Sequence, residues 1–190
     1  GIPYVVTAHG TDVHTYPRQS PWLRGRLRRF LDEAAAVVFV SDYLRRKAIE
    51  YGYQDRNSSV IPNGIEPSWA LEGPVRPRKN TSNTGPMVGF IGNLNKTKGA
   101  DRLPRIFERI LSREPDASFL VLGDGILWPS ITRALRRYRI ATKVRMTGQV
   151  KPESVAEYLR KMDVLVLPSR AEGWGCVITE ANVCGVPVVA

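Results

Sequence analysis

The sequence predicts an α/β protein made of two domains built on parallel sheets, and three observations carry that expectation. Short apolar runs alternate with helical patterns along nearly the whole chain, the signature of strand–helix–strand units around a parallel sheet. A stretch over residues 67–86, rich in Pro, Asn, Ser, Thr and Gly with no apolar period, interrupts the alternation, which restarts after it. An apolar content of 43% with 24% charged residues over 190 positions supplies enough hydrophobic surface for ordinary globular cores. The expected organisation is a first domain over 1–66, a linker over 67–86 and a second domain over 87–190.

In the first domain, residues 4–8 and 37–40 read as buried strands. Between them, residues 22–35 read as a helix with Leu23, Leu27, Phe30, Leu31 and Ala34 on one face. Ser41 is placed to cap a helix over 42–50, and Gly52 to end it. A short strand at 59–62 leads to Asn63-Gly64, a pair suited to a sharp turn with positive φ.

In the second domain, strands are expected at 87–91, 118–122, 143–146, 164–167 and 186–190. Helices are expected near 100–113, 127–138, 153–161 and 177–184. Right-handed crossovers would wind these into a doubly wound sheet whose strand-to-helix loops open at one edge, where ligands of such sheets bind.

The net charge is +10, from 28 Lys and Arg against 18 Asp and Glu, which favours anionic partners. Basic clusters at 24–29, 76–79 and 133–139 lack the interleaved aromatics of a single-strand groove, so nucleic acid is not an expected partner. Cys176 and Cys184 lie eight apart in one expected helix, too far along it to bridge. They read as reduced, buried thiols of a cytoplasmic protein. No apolar run approaches the ~18 residues of a membrane-spanning helix. The first methionine is Met87 and both ends are strand-like, so the chain reads as an internal piece of a longer protein, inactive by itself.

The strand ends carry the candidate chemistry. Gly92-Asn93-Leu94-Asn95-Lys96-Thr97-Lys98-Gly99 places two lysines before a helix start, where backbone N–H groups and the helix dipole attract an anion; solvated loop lysines are the alternative. Gly123-Asp124-Gly125 begins a dinucleotide fingerprint, but Trp128 stands where the third glycine belongs, which disfavours a nicotinamide enzyme. Thr147-Gly148-Gln149-Val150 could present backbone to a flat base. Pro168 to Gly175 ends the fourth strand with glycines flanking Trp174. Glu172 and Glu180 can each accept hydrogen bonds from hydroxyls, and Glu180 sits in an apolar stretch where burial penalises an unpartnered carboxylate.

Together these residues resemble the GT-B-fold retaining glycosyltransferases called family 4. The resemblance rests on Glu172-Gly173-Trp174-Gly175 through Glu180-Ala181, which is the family's Glu, seven residues, Glu signature, and on the tail Gly185-Val186-Pro187-Val188-Val189-Ala190. It extends over Asp163–Ser169, Lys98-Gly99, Gly123-Asp124-Gly125, Val60-Ile61-Pro62-Asn63-Gly64 and His9-Gly10-Thr11-Asp12.

The resemblance implies two Rossmann-like domains and transfer of a sugar, with retained anomeric configuration, from a UDP-, GDP- or ADP-sugar to a glycan or lipid-linked acceptor. It implies no metal and no other cofactor. Lys98 would contact the donor diphosphate, Glu172 and His9 the transferred sugar, Gly173, Trp174 and Gly175 its hydroxyls or phosphate, and Glu180 the ribose. Asn93 follows Gly92 where the family often has arginine, which weakens the diphosphate clamp unless Arg170 replaces it. The basic segment 22–29 suits either solvent or peripheral contact with anionic lipid at the cytoplasmic membrane face. A GT-B epimerase or phosphorylase, or a non-catalytic nucleotide-sugar-binding protein, are the alternatives.

Overall fold

The computed structural model describes residues 2–65 and 85–190, and they divide into two compact units. The first comprises Gly1–Gly64 with Glu172–Gly175, the second Ile65–Ala171 with Cys176–Ala190. The predicted α/β class holds in both. The linker expected over 67–86 lies outside the described residues except for Gly85 and Pro86, and Pro86 already accepts a ladder bond from Ser118 N at 2.9 Å.

The first unit is a parallel three-stranded sheet in the order β1 (Val5–Ala8), β2 (Ala36–Phe39), β3 (Ser58–Val60). After β1 come a π-helical turn (Thr11–Thr15), α1 (Tyr16–Gln19) and α2 (Pro21–Asp32), and after β2 comes α3 (Asp42–Glu50). Ser41 caps α3 as expected, its Oγ accepting from Leu44 N. The core gathers Val13, Leu31, Val37, Phe39, Leu44 and Ala48.

Two expectations fail in this unit. Phe30 is 51% exposed instead of buried, because it stacks on Tyr4 at the rim, with ring centroids 5.2 Å apart and Tyr4 Oη donating to its carbonyl. Gly64 does not take positive φ; the left-handed residue before β3 is Asp55 (φ 53°), held by Arg45, whose Nη2 lies 2.5 Å from Oδ2.

The second unit is a parallel five-stranded sheet in the order β6 (Val144–Gly148), β5 (Ser118–Leu122), β4 (Met87–Ile91), β7 (Val164–Val166), β8 (Val188–Val189). Strand alternation sends Phe119 and Val121 to one face and Leu120 and Leu122 to the other. The first face packs under α4 (Leu103–Leu111) and α5 (Trp128–Arg137) through Leu103, Phe107, Ile131 and Leu135. The second packs under α6 (Pro152–Leu159) and α7 (Cys176–Val183) through Ala156, Leu159 and Ala181. Cys184 is buried after α7, but Cys176, at the helix start, is exposed rather than buried. Among the described residues no helix is long and apolar enough to cross a membrane.

Phe107 and Phe119 are both fully buried and stack with centroids 4.2 Å apart, joining α4 to the central strands. Phe107→Ala is expected to lower the stability of the second unit by about 3–5 kcal/mol. A shift of its urea midpoint to lower concentration at unchanged slope measures this.

Candidate active site

In the second sheet the chain runs outward from β4 through β5 to β6, then crosses to the other side of β4 for β7 and β8. This reversal makes a topological switch point between the C-terminal ends of β4 and β7, where adjacent loops part and leave a crevice. Every strand-end motif singled out in the second domain before residue 172 lies along this edge.

The ends of β4, β5 and β6 are laced together by backbone. Gly92 N donates to Leu122 O at 3.0 Å, Leu94 N to Asp124 O at 2.9 Å, and Gly123 N to Gly148 O at 2.8 Å. Gly123 adopts φ 121°, and a Cβ there would stand 2.1 Å from Gly92 O, so two requirements select glycine at once. Asn93 is exposed and its Oδ1 lies 2.7 Å from where a Cβ on Gly125 would fall, which seats it against the loop after β5. Lys98 is partly buried, its backbone N donating to Asn95 Oδ1 at 2.9 Å just before the turn at Gly99.

The loops flanking the switch are tied by Arg170. Its backbone N donates to Thr97 O at 2.8 Å, and its guanidinium donates to Lys96 O at 2.5 Å and bidentately to Asp101 at 2.7 and 2.8 Å. That bonding holds the Asp101 carboxyl below its ordinary range and Arg170 above its own. The charge offered as a substitute clamp for a diphosphate is therefore already met by Asp101, and Arg170 acts as a brace between loops. Asp101 was not singled out from sequence, since its partner lies 69 positions away.

Glu180 lies within α7, partly buried, and burial alone pushes its carboxyl above the ordinary range. The apolar stretch around it was the signal in the sequence.

His9, Gly173 and Trp174 belong to the first unit, as does Glu172. Asp12 accepts from the backbone N of His9 at 3.1 Å, of Gly10 at 2.7 Å and of Val13 at 3.0 Å, fixing the turn that leaves His9 exposed after β1. A Cβ on Gly173 would stand 2.0 Å from His9 O, and Gly173 O accepts from Ser41 Oγ at 2.7 Å. Trp174 packs on the first unit's core, and its buried Nε1 has no hydrogen-bond partner among the described residues. Gly175 is buried at φ 71°. Asp12 and Ser41 were not assigned roles at the site; a carboxylate two residues after a strand-ending His-Gly pair was the available cue for Asp12.

Comparison with known proteins shows the family and the fold. The family model for glycosyl transferases group 1 matches residues 85–190, and that for glycosyltransferase family 4 matches residues 1–69. The chain is 34% identical to TuaC of Bacillus subtilis (strain 168), named as a teichuronic acid biosynthesis glycosyltransferase, over 99% of this chain and 46% of that protein. It is 28% identical to a GDP-mannose-dependent phosphatidylinositol monomannoside mannosyltransferase of Mycolicibacterium smegmatis, over 98% of this chain and 51% of that protein. The chain thus spans about half the length of the curated relatives it matches. The crystal structure of Anabaena HepE in complex with UDP and glucose superposes with a TM-score of 0.79 at 22% identity, covering 99% of this chain and 52% of that one.

Two outcomes follow from the site geometry. Gly123→Ala should destabilise the second unit by at least about 1–3 kcal/mol from its backbone conformation alone, before any clash with Gly92 O; a thermal melt measures it. Glu180 has a folded pKa above its unfolded value near 4.5, so the folded state holds the proton longer and stability falls as pH rises through that window. Glu180→Gln should therefore raise the melting temperature at pH 7, with the difference vanishing below about pH 4.

Proposed function

Because this chain belongs to the glycosyl transferases group 1 family, we propose that it serves a glycosyltransferase that moves a sugar from a nucleotide-sugar donor to an acceptor with retention of anomeric configuration. Glu180 carries this reading most directly. A carboxylate raised by desolvation is an acceptor short of donors, and the vicinal hydroxyls of a ribose supply two.

The remaining roles are those the family resemblance implies, and the loops that carry them support the assignment. The loop after β4, with Lys98 and the turn at Gly99, receives the diphosphate, and the backbone after β5 and β6 faces the base. Asn93 leaves the diphosphate one cation short, so Lys98 and backbone N–H groups bear that task, with Arg170 holding the loops that shape it. Glu172 and His9 address the transferred sugar, and Gly173, Trp174 and Gly175 its hydroxyls or phosphate. The nucleoside diphosphate departs as charge builds on its oxygens, and the acceptor attacks from the same face; positive charge and oriented dipoles stabilise that charge. No metal is assigned to this scheme.

A relative is named as GDP-mannose-dependent and a solved neighbour holds UDP, so the donor panel includes both bases with ADP-sugars as a third. On the acceptor side, α2 leaves Trp22 64% exposed beside Arg24, Arg26, Arg28 and Arg29, which supports a peripheral contact with anionic lipid or a lipid-linked acceptor.

Thermal-shift screening against UDP-, GDP- and ADP-sugars should pick out one base by a rise in melting temperature. Glu180→Ala should abolish most of that rise. Unchanged nucleotide-sugar binding in this variant would falsify the ribose role.

A further inference from the structure

A cavity of about 260 Å³ opens at the N-terminal ends of β4, β5 and β6, on the edge of the second sheet opposite the strand-end loops described above. Met87, Ser118 and Val144, the first residues of those strands, line it with Leu120, while Tyr158 of α6 and Lys161 just beyond that helix close one side. Thr142, Lys143 and Arg145 complete the wall at the outer strand. All of these residues belong to the second unit.

Strand register decides which side chains face this space. Val144 and Met146 pack into the core on the α4 and α5 side, so Arg145 between them turns to the α6 and α7 side. There it stands in register with Leu120, which is 3% exposed. Met87 and Tyr158 pack against the same core. The floor is therefore apolar, with a guanidinium at its border in a row that is otherwise core.

The charge around this floor is one-sided. Residues 125–152 contain seven Lys and Arg and no Asp or Glu, so no carboxylate lies near in sequence to answer Lys143 or Arg145. Among the described residues, folding brings neither of them a carboxylate partner. Missing partners alone do not single these two out, because Arg133, Arg136 and Arg137 on α5 lack them as well. Their place beside the apolar floor does. Lys161 is engaged already: it meets Glu157 at 2.6 Å and lies over the Tyr158 ring, 5.1 Å from its centroid, which braces the aromatic wall. A carboxylate would accept from Arg145 and Lys143, and an apolar body attached to it would cover floor that is otherwise wet.

We propose that this cavity binds a small organic carboxylate with an apolar body, the carboxylate held by Arg145 and Lys143 and the body laid on Met87, Leu120 and Tyr158. The site shares no residue with the donor-binding edge, so it stands or falls apart from the nucleotide-sugar reading.

Hydrocinnamate is the probe, with hydrocinnamyl alcohol as its uncharged counterpart and acetate as the charge without the body. Each is titrated into the isotope-labelled chain and followed by amide NMR shifts. Saturable shifts at Leu120, Arg145 and Tyr158 are expected with hydrocinnamate, while Gly92 and Gly123 stay in place. The alcohol and acetate should each bind at least about tenfold more weakly, and Arg145→Gln, at an exposed position, should weaken hydrocinnamate about tenfold or more. Arg137→Ala removes an equal charge from the same acid-free segment and should change nothing. Equal loss in both variants would mark attraction to net charge rather than to the cavity, and overturns the site. So does either counterpart binding as tightly as hydrocinnamate, or the absence of saturable shifts; Arg145 would then be an inward charge that keeps an edge strand from pairing.

Discussion

The C-terminal edge of the second unit's sheet depends most on one brace, the bonds from Arg170 to the loop after β4. A parallel sheet that reverses direction at β4 parts its loops there by construction, which provides a crevice but leaves its walls without sheet partners. Arg170 replaces them: its backbone N holds Thr97 O, and its guanidinium holds Lys96 O and the Asp101 carboxylate. Gly99 completes the fit, since a Cβ there would stand 1.8 Å from Pro168 O. The backbone leading into Lys98 is thus positioned from the far side of the switch. An arginine here does more as a brace than as a free charge, because mobile walls would scatter the N–H groups a diphosphate needs.

The strands were the most legible part of the fold. β5 over Ser118–Leu122 and β4 over Met87–Ile91 appear where the apolar runs place them, because a strand buried on both faces is apolar throughout and bounded by turn residues. What could not be read arises from contacts distant in sequence. Phe30 follows the helical period but ends on a rim where Tyr4 covers it. Asn63-Gly64 has turn composition, yet the left-handed residue is Asp55, fixed by a bidentate arginine ten positions earlier. Cys176 carries an apolar side chain to a helix end that is open to solvent.

The candidate site divides in the same way. Gly92, Gly123, Lys98 and Glu180 stand out in the sequence because each departs from its local pattern, as a glycine at a strand end, a lysine before a helix or a carboxylate among apolar residues. Asp101, Asp12 and Ser41 were given no site role because each looks ordinary where it stands: a charged residue at a helix start, a turn aspartate, a helix cap. Their importance comes from Arg170, from the backbone of His9 and Gly10, and from Gly173 O, respectively. Ser41 serves the cap and Gly173 with one hydroxyl, and only the cap is a local property.

The groups left incompletely answered are of opposite kinds in the two units. In the second, Glu180 is an acceptor whose charge is disfavoured by burial, and hydroxyl donors would restore it. In the first, Arg18 and Arg24 line a cavity of about 410 Å³ and have no carboxylate partner among the described residues, while Lys47 beside them meets Glu50 at 2.6 Å. The imbalance at Glu180 is created by folding, which takes water from the carboxylate, so a donor group there would add more than it could on the unfolded chain.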